Sequence, residues 1–120
     1  MTTKTQKIDD FTLILPSGFN YRSHTKILEI LEFQDGVVVL VDVNALPWPP
    51  KDQIELSNII KVSLDGKQVW RLDPPIKDGD YFGKIIFGDS VETFKAISGS
   101  GFCLVVNYTD GKVIEKIWTK

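Results

Sequence analysis

The stretch VSLDGKQVW (residues 62–70) returns near the C-terminus as NYTDGKVIEKIW (residues 107–118), each an Asp-Gly-Lys turn between apolar residues with a tryptophan downstream. Asp-Gly between two such runs is a strong short-range signal for a β-hairpin. How the turn closes decides which side chains share a face. A two-residue loop at Asp65-Gly66 would set Ile60 opposite Arg71 and Lys61 opposite Trp70, mixing apolar and charged residues. A three-residue loop, with Gly66 at positive φ in a bulge, changes the parity. Ile60, Val62, Trp70 and Leu72 then share one face, leaving Lys61, Ser63 and Arg71 on the other. The same rule at Gly111 groups Leu104, Val106, Ile114 and Trp118. The bulged loop is expected at both turns.

Working outward, the same grammar covers most of the chain. FTLILP (residues 11–16) reads as a first strand ending in a Pro-Ser-Gly turn. KILEILEF (26–33) and VVVLVDV (37–43) flank Gln34-Asp35-Gly36; SNIIKVSL (57–64) and KQVWRL (67–72) flank Asp65-Gly66. YFGKIIF (81–87) and ETFKAIS (92–98) flank Gly88-Asp89, and FCLVVNYT (102–109) and KVIEKIW (112–118) flank Asp110-Gly111. That predicts an all-β single domain of about nine antiparallel strands in consecutive hairpins, preceded by a flexible tail over residues 1–8. Residues 23–33 carry a helical alternative, with Ile27, Leu28 and Leu31 on one face and Ser23 as cap; the following Asp-Gly turn favours the strand. The Asp-Gly pairs begin at 35, 65 and 110, the last two 45 residues apart, which is about one propeller blade. The chain is too short for a closed propeller. The expected architecture is a β-sandwich or half-open barrel built from blade-like meanders.

Two proline-rich loops interrupt this pattern: NALPWPPKDQIEL (44–56), carrying Trp48, and LDPPIKDGDY (72–81), carrying Asp73, Asp78 and Asp80. Proline cannot donate to a ladder, so both read as connections between hairpins.

With 120 residues and a net charge of −2, the chain is one domain without the basic stripe of a nucleic-acid binder. It has no apolar run long enough to span a bilayer, and its first residues, MTTKTQKIDD, lack the apolar core of a signal peptide. A cytoplasmic protein is expected. One cysteine and one histidine cannot supply a zinc-type site. Cys103 reads as a buried, inert thiol, and His24 as a surface histidine beside Arg22 and Lys26. SGSGF (98–102) has neither the P-loop lysine nor a strand–helix context, and DPPIKDGD lacks the calcium-loop pattern. A non-enzymatic protein with no metal or cofactor is expected.

The order KILEILEFQDGVVVLVD, a proline-rich gap, NIIKVSLDGKQVWRL and finally GFCLVVNYTDGKVIEKIWTK resembles small bacterial immunity proteins of polymorphic toxin systems, including contact-dependent growth inhibition. The resemblance spans residues 26–120, and Asn58, Gly66, Trp70, Gly111 and Trp118 match as structural positions. It implies a protein that binds and neutralises a cognate toxin, such as a nuclease, by covering its active site. It would act alone or as a weak dimer when free, with no nucleic acid or membrane partner. A basic toxin cleft would be met by carboxylates and aromatic anchors; the candidates are Trp48, Asp73, Asp78, Asp80, Tyr81, Asp89 and Glu92. Two other classes remain open: a small-ligand carrier with an apolar pocket lined by Phe82, Phe94 and Trp118, and an assembly module pairing through exposed strand edges.

Overall fold

The computed structural model describes residues 5–43, 57–75 and 80–119. Its elements are strands throughout: β1 Gln6–Asp9, β2 Thr12–Ile14, β3 Asn20–Arg22, β4 Ile27–Phe33, β5 Gly36–Val41, β6 Ile59–Ser63, β7 Gln68–Leu72, β8 Phe82–Phe87, β9 Thr93–Ser98, β10 Phe102–Asn107 and β11 Val113–Trp118. They form three antiparallel meanders, β1-β2-β3, β4-β5-β6-β7 and β8-β9-β10-β11, arranged as a sandwich and not a closed barrel. Every predicted hairpin forms. Among the described residues the strand count is eleven and not nine, because β1 and β3 flank the first predicted strand. Residues 6–8, expected in a flexible tail, belong to β1. Both added strands are short, polar and mostly exposed, so they carry no apolar alternation to betray them. The helical alternative does not form; the Ser23 hydroxyl accepts from Thr25 N–H at 3.3 Å in a local turn before β4.

The middle meander is covered on both faces. Every residue of β5, GVVVLV, is buried. Val37, Val39 and Val41 pack with Leu13, Leu15, Ile60 and Val62 under the N-terminal meander. Val38 and Leu40 pack with Ile59, Leu72, Phe82, Phe94 and Leu104 against the C-terminal meander. β-Branched residues suit such a strand, and each side chain fully buried this way contributes about 1.5–3 kcal/mol. An uninterrupted apolar run is the mark of a strand buried on both sides.

Two polar side chains join the middle and C-terminal meanders. Asn58, 1% exposed, donates to the Val41 carbonyl at 2.9 Å and the Phe82 carbonyl at 2.8 Å. Its side-chain oxygen accepts from Phe82 N–H at 2.9 Å. Glu29 accepts from Ile85 N–H at 3.0 Å and from Lys84 Nζ at 3.3 Å. Both therefore satisfy edge-strand groups of β8 that have no neighbouring strand to pair with.

The face assignments at the two Asp-Gly-Lys turns need correction. Gly66 takes the expected positive φ of 83°, and the turn closes through Ser63 N–H to Lys67 O and Gly66 N–H to Ser63 O, both 2.9 Å. A second bulge at Val69 follows, since Val62 lies opposite Gln68 but Lys61 lies opposite Trp70. This extra residue reverses the parity again. Trp70 thus shares its face with Ile59 and Leu72, toward the C-terminal meander, while Ile60 and Val62 face the N-terminal one. At Gly111, φ is 74°, and Leu104 and Val106 point inward as expected. Ile114 is the bulged residue, and all of β11 is exposed, so Trp118 packs on Phe102 at 4.8 Å between ring centroids instead of entering the core. Phe82 and Phe94 fill the core at 1% and 0% exposure, so they line no pocket with Trp118. Cys103, expected to be buried, is half-buried on a row with Ile97 and Ile117.

The two echoed motifs meet. The Trp70 indole donates to the Tyr108 carbonyl at 2.9 Å and stacks on Phe94 at 5.8 Å. A Cβ at Gly111 would fall 2.7 Å from Trp70 Cδ2, so this glycine is required both for its φ and for the indole beside it. The 45-residue spacing separates the second hairpin of one four-stranded meander from the second hairpin of the next.

No helix among the described residues is long and apolar enough to cross a membrane.

Candidate functional site

In a meander, alternate turns fall at the same end of the sheet. The four turns β4–β5, β6–β7, β8–β9 and β10–β11 accordingly converge on one open groove of about 780 Å³, lined by Glu32, Phe33, Gln34, Asp35, Leu64, Phe87, Val91, Glu92, Tyr108 and Thr109. Each turn contributes at least one residue.

The floor is aromatic. Phe33 lies flat on Tyr108 with centroids 3.9 Å apart and an interplanar angle of 14°, and meets Phe87 at 5.7 Å. Glycine at position 36 makes room for this arrangement, because a Cβ there would lie 2.5 Å from Val62 O and 3.0 Å from the Tyr108 hydroxyl. The Tyr108 hydroxyl donates to Asp35 Oδ1. Lys61, only 4% exposed, places its Nζ 3.9 Å from Asp35 Oδ2 and 3.9 Å from the centre of the Tyr108 ring. Burial, reinforced by the Asp35 hydrogen bond and charge, pushes the Tyr108 phenol well above the usual tyrosine range. Tyr108 therefore stays neutral and keeps donating, which holds Asp35 at the groove mouth.

The rim is acidic and partly apolar. Glu32, Asp35 and Glu92 line the groove, and Asp65, Asp89 and Asp110 sit on the same four turns. Three of these carboxylates have lysine partners, with Lys61 buried on Asp35, Lys67 3.9 Å from Asp65 and Lys95 3.7 Å from Asp89. The Ser63 hydroxyl bonded to Asp65 holds that carboxyl below its usual range, with Lys67 adding to the effect. Val91 and Phe87 stand 90% and 60% exposed beside these charges, an expensive arrangement in water unless something covers it.

The sequence-predicted contact residues divide between the two ends of the sandwich. Asp89 and Glu92 fall at the groove. Asp73, Asp80 and Tyr81 lie at the far end of β8, about 20 Å away for a strand of this length. Asp73 accepts from the Ser57 hydroxyl at 2.7 Å. Asp80 is a correction: at 5% exposure it is no contact residue but a brace, accepting from Tyr81 N–H, Ser100 N–H and Ser100 Oγ at 3.0, 3.1 and 2.8 Å. Tyr81 is 36% exposed. Trp48 and Asp78 lie outside the described residues. Sequence reasoning missed Glu32, Phe33, Asp35, Phe87, Val91 and Tyr108. A signal existed, since consecutive hairpins of one meander must send alternate turns to one end, and these turns carry aspartates.

Among the described residues no three His, Cys, Asp or Glu side chains gather as a metal site. The groove offers a shaped surface with charge and aromatic area, which is the equipment of recognition. The chain matches no family model, no curated protein and no solved structure.

Proposed function

We propose that this protein is a non-catalytic inhibitor that binds and neutralises a cognate bacterial toxin, as the immunity proteins it resembles do, and that the groove at the hairpin tips is the surface it presents. It acts in the cytoplasm of the cell that makes it. The observation that carries this reading is the groove at the hairpin tips, in which Glu32, Asp35 and Glu92 flank a floor of Phe33, Phe87 and Tyr108. A toxin that cleaves nucleic acid needs a basic cleft, and an acidic, partly aromatic surface is complementary to one. The exposed carboxylates steer the encounter, and Phe87 with Val91 supplies desolvated anchors that slow dissociation.

The test is to read the genes on either side of this one and to measure binding to the C-terminal domain of any large secreted protein encoded there; the lack of such a neighbour would already weaken the reading. A one-to-one complex is expected, with association slowing as salt rises. Asp89→Asn with Glu92→Gln should mainly slow association, whereas Phe87→Ala with Val91→Ser should cost about 2 kcal/mol or more, chiefly through faster dissociation. A complex that forms with all four substitutions at unchanged rates would remove the groove from the interface. Absence of any complex would count against the inhibitor reading itself.

A further inference from the structure

A second cavity opens on the opposite face of the middle meander, and its chemistry is the reverse of the groove's. It measures about 380 Å³ and is lined by Tyr21, Arg22, Ser23, His24, Thr25, Val41, Asp42, Ile60, Gln68 and Arg71. Its lining carries Arg22, His24 and Arg71 with a single acidic residue, Asp42, in a protein whose net charge is −2; the Arg22 guanidinium turns to the Thr12 hydroxyl at 3.1 Å and the Phe11 ring, which leaves Arg71 as the cation of the cavity wall. The second bulge of β7 creates this arrangement: it places Arg71 opposite Ile60, on the face turned toward the N-terminal meander.

Arg71 is held at one edge and unpaired at another. Its Nη1 donates to the Ser57 carbonyl at 2.8 Å, which anchors the guanidinium. Its Nη2 has only a 3.4 Å contact with Gln68 Oε1. Its Nε is the one buried side-chain nitrogen or oxygen without a hydrogen-bond partner among the described residues. Nε and Nη2 form the side-on fork with which arginine grips a carboxylate or phosphate through two parallel bonds. A buried donor left unpaired is costly, so a guanidinium fixed by one edge with its fork unfilled is poised for an acceptor. Around it stand the hydroxyl-bearing Tyr21, Ser23 and Thr25, the Gln68 amide and His24, while Val41 and Ile60 provide an apolar floor at 7% and 3% exposure. Burial raises the Tyr21 phenol above its usual range and the Arg71 charge pulls it back, so this hydroxyl shares the field of the guanidinium.

We propose that this cavity binds a small oxyanion, a carboxylate or phosphate group on a modest apolar body, with the Arg71 guanidinium as its principal ligand, the exposed Gln68 side chain giving way so that the unpaired Nε and Nη2 can meet it. The volume suits a small molecule and not a macromolecular segment. The site is separate from the tip groove and does not depend on the inhibitor reading.

The experiment is an NMR titration of the full chain that follows the Arg71 Nε–H resonance, with inorganic phosphate in one arm and benzoate in the other, ionic strength being held with chloride. A saturable shift at Arg71 is expected, and Arg71→Lys, which keeps the charge but loses the fork, should weaken binding by about tenfold or more. Saturation by phosphate alone would assign a phosphate ligand, by benzoate alone a carboxylate on an apolar body, and by both an oxyanion site of broad specificity. A resonance that moves with neither anion would overturn the proposal, as would unchanged binding by the lysine variant. Because the wild-type titration reads Arg71 directly, the outcome stands even if the variant does not fold.

Discussion

Replacing Gly111 by alanine tests whether the two echoed turns are locked together or merely alike. The backbone there has φ of 74°, a region in which a Cβ costs about 1 kcal/mol. The added carbon would also lie 2.7, 2.9 and 3.1 Å from Cδ2, Cγ and Cε3 of Trp70. The indole cannot retreat freely, because it is bonded to the Tyr108 carbonyl at 2.9 Å and stacked on Phe94 at 5.8 Å. Overpacking of this kind adds about 1–3 kcal/mol, giving a total of roughly 2–4 kcal/mol. Gly18 is the internal control: its φ is 94° but a Cβ would meet nothing within 4 Å, so Gly18→Ala should show the backbone term alone, about 1 kcal/mol. Urea unfolding of both variants measures the difference, with Gly111→Ala lowering the midpoint by roughly 1–2 M. Combining Gly111→Ala with Trp70→Ala should cut the alanine's cost back to the Gly18 value, a coupling of about 1–3 kcal/mol. Equal costs at positions 18 and 111, or no coupling to Trp70, would refute the claim that the turn of the last hairpin is braced by the tryptophan of an earlier one.

Two further expectations concern the joints. Asn58→Ala strands the Phe82 N–H and carbonyl and the Val41 carbonyl in a site 1% exposed, and should cost about 3–5 kcal/mol in urea unfolding, with faster hydrogen exchange at the Phe82 amide. The raised phenols of Tyr108 and Tyr21 make stability fall in alkali: their contribution is complete below the unfolded tyrosine pKa of about 10, and above it the unfolded chain releases protons that the folded chain keeps. For Tyr108, whose shift is the larger, the tilt just above that point approaches about 1.4 kcal/mol per pH unit, so Tyr108→Phe should flatten the curve by about that amount; an unchanged slope would refute the assignment.

Much of the fold was legible because hairpins are local. Asp-Gly turns at 35, 65 and 110 announced themselves through a few neighbouring residues, and all of the predicted strand pairs formed in chain order. β1 and β3 were hidden because QKID and NYR have little apolar content, their pairing being supplied by β2 between them. The candidate site was legible only in part. Asp89 and Glu92 were found, but they were grouped with Asp73 and Asp80 on sequence proximity, and a strand of six residues separates those pairs in space. Asp80 shows the same limit from another side, since nothing near it in sequence reveals that Ser100 would claim its carboxylate.

By itself, then, the sequence determined the all-β class, the order of the hairpins and the glycines that turn them, all of which depend on φ preferences and side-chain alternation within a few residues. Only the tertiary structure decided which face each side chain meets. The run GVVVLV is apolar on both sides of its strand, but whether two layers or three cover it depends on where the N-terminal meander lands. The bulge at Val69 turns Trp70 toward Phe94 and Arg71 toward the second cavity, and no local rule requires it. VSLDGKQVW and its echo are bulged hairpins, as their residues said. That one braces the other, and that their aspartates gather with those of two more turns at one end, follows from the stacking of sheets whose contacting residues lie some 40 positions apart in the chain.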